Sequence, residues 1–125
     1  MHNKERELYR QINEKWFQLD PITKTLRLTR LAFTPSNKDE GLLSVYNGAV
    51  FTAKESYEHF TKNGYKSQQV MKVTVMDCED LDLPVIDDNG PFDGHSSIDF
   101  TSLSKNQMEK KGGDLTRKSK VAFLP

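Results

Sequence analysis

The carboxylates of this chain crowd into one stretch. Residues 73–104 hold Asp77, Glu79, Asp80, Asp82, Asp87, Asp88, Asp93 and Asp99, a single histidine, His95, and no lysine or arginine. Such a cluster offers hard oxygen ligands to calcium or magnesium, but those ions need the ligands at fixed positions. Asp87-Asp88-Asn89-Gly90 supplies the glycine of an EF-hand loop without its alternating ligand positions, so no metal site is expected. The stretch reads instead as an acidic loop, residues 77–95, that recognises a basic protein partner through Asp87, Asp88, Asp93 and His95.

His95 also carries a chemical possibility. A histidine beside carboxylates serves as a general base whose tautomer the acid fixes. If residues 96–100 form a strand, His95 and Asp99 share a face but lie ~13 Å apart by strand rise. The expectation is therefore a loop histidine at a strand entrance. Cys78 with His59 or His95 would be the minimum for a thiol nucleophile, yet its neighbours Asp77, Glu79 and Asp80 disfavour the thiolate. Ser44, Ser56 and Ser96 sit in no nucleophile-elbow pattern, and the single turn glycines lack phosphate-cradling spacing, so no cofactor is expected from motifs.

Basic residues flank the acidic stretch. Lys24, Arg27, Arg30 and Lys38 run through one strand and loop, and from Lys105 onward six bases outnumber two acids. Lys110, Lys111, Arg117 and Lys118 are the candidates for phosphate contact in a nucleic-acid reading, although this segment lacks the interleaved aromatics of a single-strand platform. A formal net charge of zero removes any whole-protein argument for nucleic acid or membrane binding. The same basic segment is suited to dock on the acidic stretch of its own chain or of a second copy.

The order of certain residues in the first half of the chain resembles a known family. Leu8-Tyr9-Arg10, then Leu43-Ser44-Val45-Tyr46, then Phe51-Thr52-Ala53 running into a helix with Glu55 and Glu58, are similar to the arginine, serine and glutamate succession of small NAD-consuming ADP-ribosyltransferase-like toxins. The chain departs from that pattern in lacking a glycine-rich Gly-Arg-Trp segment and in placing its glutamates inside a helix. The resemblance implies an NAD-consuming enzyme in which Arg10, Tyr46 and Glu58 are the site residues. It also implies a deep pocket where the arginine, an aromatic ring and a carboxylate converge.

These residues must be positioned by a chain of 125 residues, long enough for one domain. Residues 3–18 fit an amphipathic helix through Leu8, Ile12 and Trp16, while Leu8-Tyr9-Arg10-Gln11-Ile12 also alternates as a short strand would. Strands are predicted over 25–33, with a slip of phase near Arg30 read as a bulge, and over 42–51 as a hairpin turning at Asn47-Gly48. Further strands are predicted over 70–76 and 96–100. Thr52-Ala53-Lys54-Glu55 and Ser104-Lys105-Asn106-Gln107 match capping boxes, which predicts a helix over 53–63 and another beginning at Ser104 that Gly112-Gly113 weakens in its middle. The fold class is a single α+β domain with a mostly antiparallel sheet covered by two or three helices, and residues 105–125 form a peripheral or frayed helix.

One cysteine, a charged N-terminus and the lack of a long apolar run point to a cytosolic protein without a membrane span. The function read from these residues is a small accessory or binding protein that engages a protein partner, or itself, through the acidic loop. The NAD-consuming enzyme and the nucleic-acid module are the alternatives.

Overall fold

The computed structural model describes residues 3–125. Its strands are β1 (Glu7–Gln11), β2 (Phe17–Leu19), β3 (Leu26–Leu28), β4 (Leu42–Asn47), β5 (Val70–Thr74), β6 (Val85–Ile86), β7 (His95–Asp99) and β8 (Lys120–Phe123). Six of them pair antiparallel in the order β6-β7-β4-β1-β5-β8, and β2 with β3 makes a separate two-stranded ribbon. Three α-helices, α1 (Ala53–Lys62), α2 (Val75–Glu79) and α3 (Lys105–Lys118), complete an α+β domain.

Alternation along the strands gives the sheet two buried faces. Leu8 and Ile12, just beyond the end of β1, join Leu43 and Val45 of β4, Val73 of β5 and Ile98 of β7 in the larger core, which Phe33, Phe100 and Leu115 close. Tyr9, Tyr46 and Val70 point the other way, where Tyr57 and Phe60 of α1 and Phe123 of β8 cover them. Each fully buried leucine or isoleucine contributes about 1.5–3 kcal/mol. A one-residue slip of β1 would exchange Leu8 and Ile12 with polar neighbours, so burial fixes the register.

The helix expected over residues 3–18 does not form. A helical and a strand reading both place Leu8 and Ile12 together, and the strand wins because β1 lies inside the sheet, paired with β4 on one side and β5 on the other. Only a 3₁₀ turn at Glu14–Trp16 follows, its start capped by the Asn13 side chain. The strand expected over 25–33 is also cut short. β3 has three residues, and the phase slip near Arg30 is a second 3₁₀ turn, Arg30–Phe33, rather than a bulge.

Asn47-Gly48 closes no hairpin. β4 pairs with β1 and β7, while residues 49–52 lead directly to α1. The helix at 53–63 is present as α1, and its box has both halves: Thr52 Oγ1 accepts from the Glu55 amide at 3.1 Å and Glu55 accepts from the Thr52 amide at 2.9 Å. The strand expected over 70–76 ends at Thr74, whose side chain caps α2. β7 is the strand expected at 96–100, beginning one residue earlier at His95.

The Ser104 capping box starts α3, which continues unbroken through Gly112-Gly113. Gly112 lies against the Phe33 carbonyl and Thr34, where any side chain would collide, so the glycine that weakens the isolated helix allows its close packing on the Arg30–Phe33 turn. The basic C-terminal run also supplies an edge strand, β8, that its charge concealed. Among the described residues no helix is long and apolar enough to cross a membrane.

Candidate functional site

Sheet register lines up four polar side chains. Tyr9 faces Lys72 of β5 on one side and Tyr46 of β4 on the other, and Tyr46 faces His95 of β7. Residues directly opposite across antiparallel strands lie about 5 Å apart, so the row brings a cation, two phenols and an imidazole onto one face. α1 crosses this face. Ser56 accepts from Gln11 Nε2 at 2.8 Å, and His59 Nδ1 lies 2.9 Å from the Tyr46 hydroxyl.

The ladder between β1 and β4 stops after Tyr9 and Tyr46. Where it opens, the Arg10 side chain takes the place of backbone partners: Nε donates to the Ala32 carbonyl and Nη1 to the Ser44 carbonyl, each at 2.9 Å. Its guanidinium lies 5.0 Å from the Trp16 ring centre, within cation–π range. The opening is a cleft of about 510 Å³, walled by Trp16, Tyr46, Phe60, Tyr65 and Phe92, with Arg10, His59 and His95 among its polar members. Burial pulls the Arg10 guanidinium down to about 10, opposed by the field of Asp39, so it stays charged at neutral pH.

His95 is a buried strand residue and not a loop histidine. Its Nδ1 lies 2.6 Å from Asp88 Oδ1, while Ser97 donates to Asp88 Oδ2 at 2.7 Å. The turn that returns Asp88 to β7 is locally encoded. Asn89 accepts from the Gly94 amide at 3.0 Å, and Gly94 adopts φ 91° with Phe51 packed where a side chain would stand. Burial works to raise the Asp88 carboxyl, but the hydrogen bonds from His95 and Ser97 outweigh it and hold it below its ordinary value. Asp88 is thus ionised at neutral pH and can only accept, so Nδ1 of His95 carries the proton and a neutral His95 presents Nε2 as a base.

Tyr46 and His59 form a hydrogen-bonded aromatic pair in the cleft lining. Burial pushes the Tyr46 phenol up to about 12, so it remains a hydrogen-bond donor. When it donates to His59 Nδ1, the proton of His59 resides on Nε2. Phe92 packs between the two imidazoles, 4.4 Å from His59 and 5.4 Å from His95 by ring centres. Among the described residues, Arg10 Nη2 and the Nε2 atoms of both histidines make no hydrogen bond, and none is a buried orphan. The lining of the cleft therefore includes a cation and two imidazoles that each keep one nitrogen free of hydrogen bonds.

Several residues singled out in the sequence lie elsewhere. Asp87 holds Arg6 through two contacts of 3.0 and 3.1 Å and accepts from Ser96 at 2.7 Å. Asp93 is exposed, and Asp99 caps Thr101 rather than meeting His95. Arg10 and Tyr46 share the cleft, whereas Glu58 is exposed and lines no part of it. Cys78 is fully buried, and burial with the nearby Asp77 and Glu79 pushes its thiol up to about 12. Lys111 donates to the Leu81 carbonyl at 2.5 Å, Lys110 and Arg117 line a second groove, and Lys118 is exposed outside both.

Trp16, His59 and Phe92 were not marked by any motif, because they meet only through the fold. The turn residues Asn89-Gly90-Pro91 were the available signal that Asp88 folds back toward His95. Among the described residues no group of three or more histidine, cysteine or acidic side chains is placed to hold a metal ion. No protein-family model, curated protein or solved structure matches this chain.

Proposed function

We propose that the cleft binds a nucleotide-like small molecule, a flat ring joined to an anionic group, and that His95 acts on it as a general base. The supporting observation is that Arg10 and His95 both line one aromatic-walled cleft. Arginine offers a phosphate a planar fork of donors, and the rings offer a base or nicotinamide a stacking surface. Asp88 fixes the His95 proton on Nδ1 and leaves Nε2 as the proton-accepting nitrogen, which is the tautomer that a general base at this position needs.

NAD is the first ligand to test, because two of the three residues in the ADP-ribosyltransferase-like resemblance, Arg10 and Tyr46, lie in this cleft. Glu58 does not join them, and Asp88 acting through His95 supplies the carboxylate in this reading. A recognition role for the acidic loop is less favoured because Asp87 and Asp88 are already engaged with Arg6, Ser96, His95 and Ser97. A reducing cytosol suits the single buried thiol.

The test is an NMR titration of the protein with AMP and with NAD. Signals of the Trp16 indole and of the His59 and His95 rings are expected to shift together. Unmoved ring signals at millimolar concentrations of both ligands would remove this reading.

A further inference from the structure

A second, wider groove of about 990 Å³ runs between the β2–β3 ribbon and α3. Lys15, Arg27 and Lys110 line it without an ion-pair partner among the described residues. Arg30 and Arg117 line it too, bound to Glu109 and Asp114 through exposed contacts. Exposed ion pairs of this kind are weak and do not close the groove to a phosphate. The groove therefore gathers cations from three separate segments, the turn at Glu14–Trp16, β3 with the following turn, and α3, and has one carboxylate, Glu109, in its lining.

This groove adjoins the cleft. Trp16 walls the cleft while its chain neighbours Lys15 and Phe17 line the groove, so a single short segment forms the partition between them. A ligand long enough to cross that partition would meet aromatic walls and Arg10 on one side and a row of cations with Phe17 on the other. An acidic peptide satisfies the cations but has no regular planar group for the cleft. A nucleic-acid strand carries both, a flat base and a phosphate at each step.

We propose that the substrate or ligand is single-stranded nucleic acid, with one nucleotide in the cleft and the adjoining phosphates along the Lys15–Arg27–Lys110 groove. This rests on the cleft reading above and extends it from a free nucleotide to a nucleotide within a strand. The cations were partly visible in the sequence, but the strand path was not: Lys111 and Lys118 of the basic tail lie off the groove, and β3 and the turn after it supply Arg27 and Arg30 from the first third of the chain.

The experiment measures binding of a labelled single strand of about 10 nucleotides, as DNA and as RNA, across a salt series. Four phosphate contacts, Arg10 in the cleft and Lys15, Arg27 and Lys110 in the groove, give a slope of about −3 in log affinity against log salt, so affinity is expected to fall roughly 50-fold between about 50 and about 200 mM salt. The double variant Arg27→Gln, Lys110→Gln leaves two contacts and is expected to bind more weakly with only about a 7-fold salt effect. Both side chains are exposed, so the fold is retained and the AMP-induced shifts at His95 should be unchanged. Salt-independent binding, unchanged affinity in the double variant, or equal binding of poly-glutamate would overturn the proposal. The two readings fail distinguishably: an AMP response without strand binding removes the groove alone, and groove-dependent strand binding without an AMP response removes the cleft reading together with the nucleotide placed there.

Discussion

Nδ1 of His95 lies 2.6 Å from Oδ1 of Asp88, across a turn that folds the acidic segment back onto the strand following it. Asn89 and Gly94 build that turn, and Ser97 holds the second carboxylate oxygen. The acidic stretch is thereby divided. Asp87 and Asp88 bond to β7 and to Arg6, Asp77 caps α2, Asp99 caps Thr101, and Asp93 remains exposed. Through Asp88 the stretch holds His95, which lines the cleft.

Replacing Asp88 by asparagine should free the His95 tautomer. Nitrogen-resolved NMR of the imidazole is expected to show the proton on Nδ1 in the wild type and a mixture in Asp88→Asn. Because the folded carboxyl sits below its ordinary value, its stabilisation is present above about pH 4 and is lost as pH falls through the folded value. The side chain is 32% exposed, so the gap in unfolding free energy between the two proteins should be at most about 1 kcal/mol near pH 7 and should close in acid. A gap that widens on acidification would contradict this assignment.

Ser56→Ala tests the tie between α1 and β1. Ser56 is fully buried and accepts from Gln11 Nε2, so its removal leaves a buried amide donor without a partner. Urea unfolding should show a loss of about 1–3 kcal/mol.

The paired glycines of α3 should respond in opposite ways. Gly113→Ala meets only ordinary contacts at 3.6 Å and gains helix propensity, so it should be neutral or stabilising by up to about 1 kcal/mol. Gly112→Ala drives a methyl into Thr34 and the Phe33 carbonyl, and thermal unfolding should show it destabilised by about 1–3 kcal/mol. Equal effects at the two positions would mean that α3 does not pack on the Arg30–Phe33 turn as described.

Cys78 should be inert in the folded protein. With the thiol fully buried and pushed up to about 12, a thiol-reactive dye is expected to label it only as fast as the chain opens, and fully in denaturant. Rapid labelling under native conditions would show that the α2 region is open in solution.

Local signals in the sequence were reliable where neighbours within a few residues decide the structure. Both capping boxes, at Thr52 and Ser104, form with both of their hydrogen bonds, and the β-branched run from Val70 is a strand. Residues 8–12 were ambiguous because Leu8 and Ile12 suit a helix and a strand equally, and pairing with β4 and β5 decides between them. Asn47-Gly48 looked like a hairpin turn, but the partners of β4 come from distant β1 and β7. Of the cleft, Arg10, Tyr46 and His95 were legible as reactive residue types. Their meeting was not, since it depends on the sheet register and on a ladder that opens after Tyr9.

Calorimetric titration of the protein with AMP, NAD and adenosine tests the cleft most directly. AMP and NAD are expected to bind, with AMP at least about tenfold tighter than adenosine because Arg10 meets the phosphate, a difference of about 1.4 kcal/mol. At a ligand concentration about 100 times the dissociation constant, unfolding should become harder by about 2.7 kcal/mol. Adenosine binding as tightly as AMP, or no heat and no stabilisation from any of the three at millimolar concentration, would contradict the account.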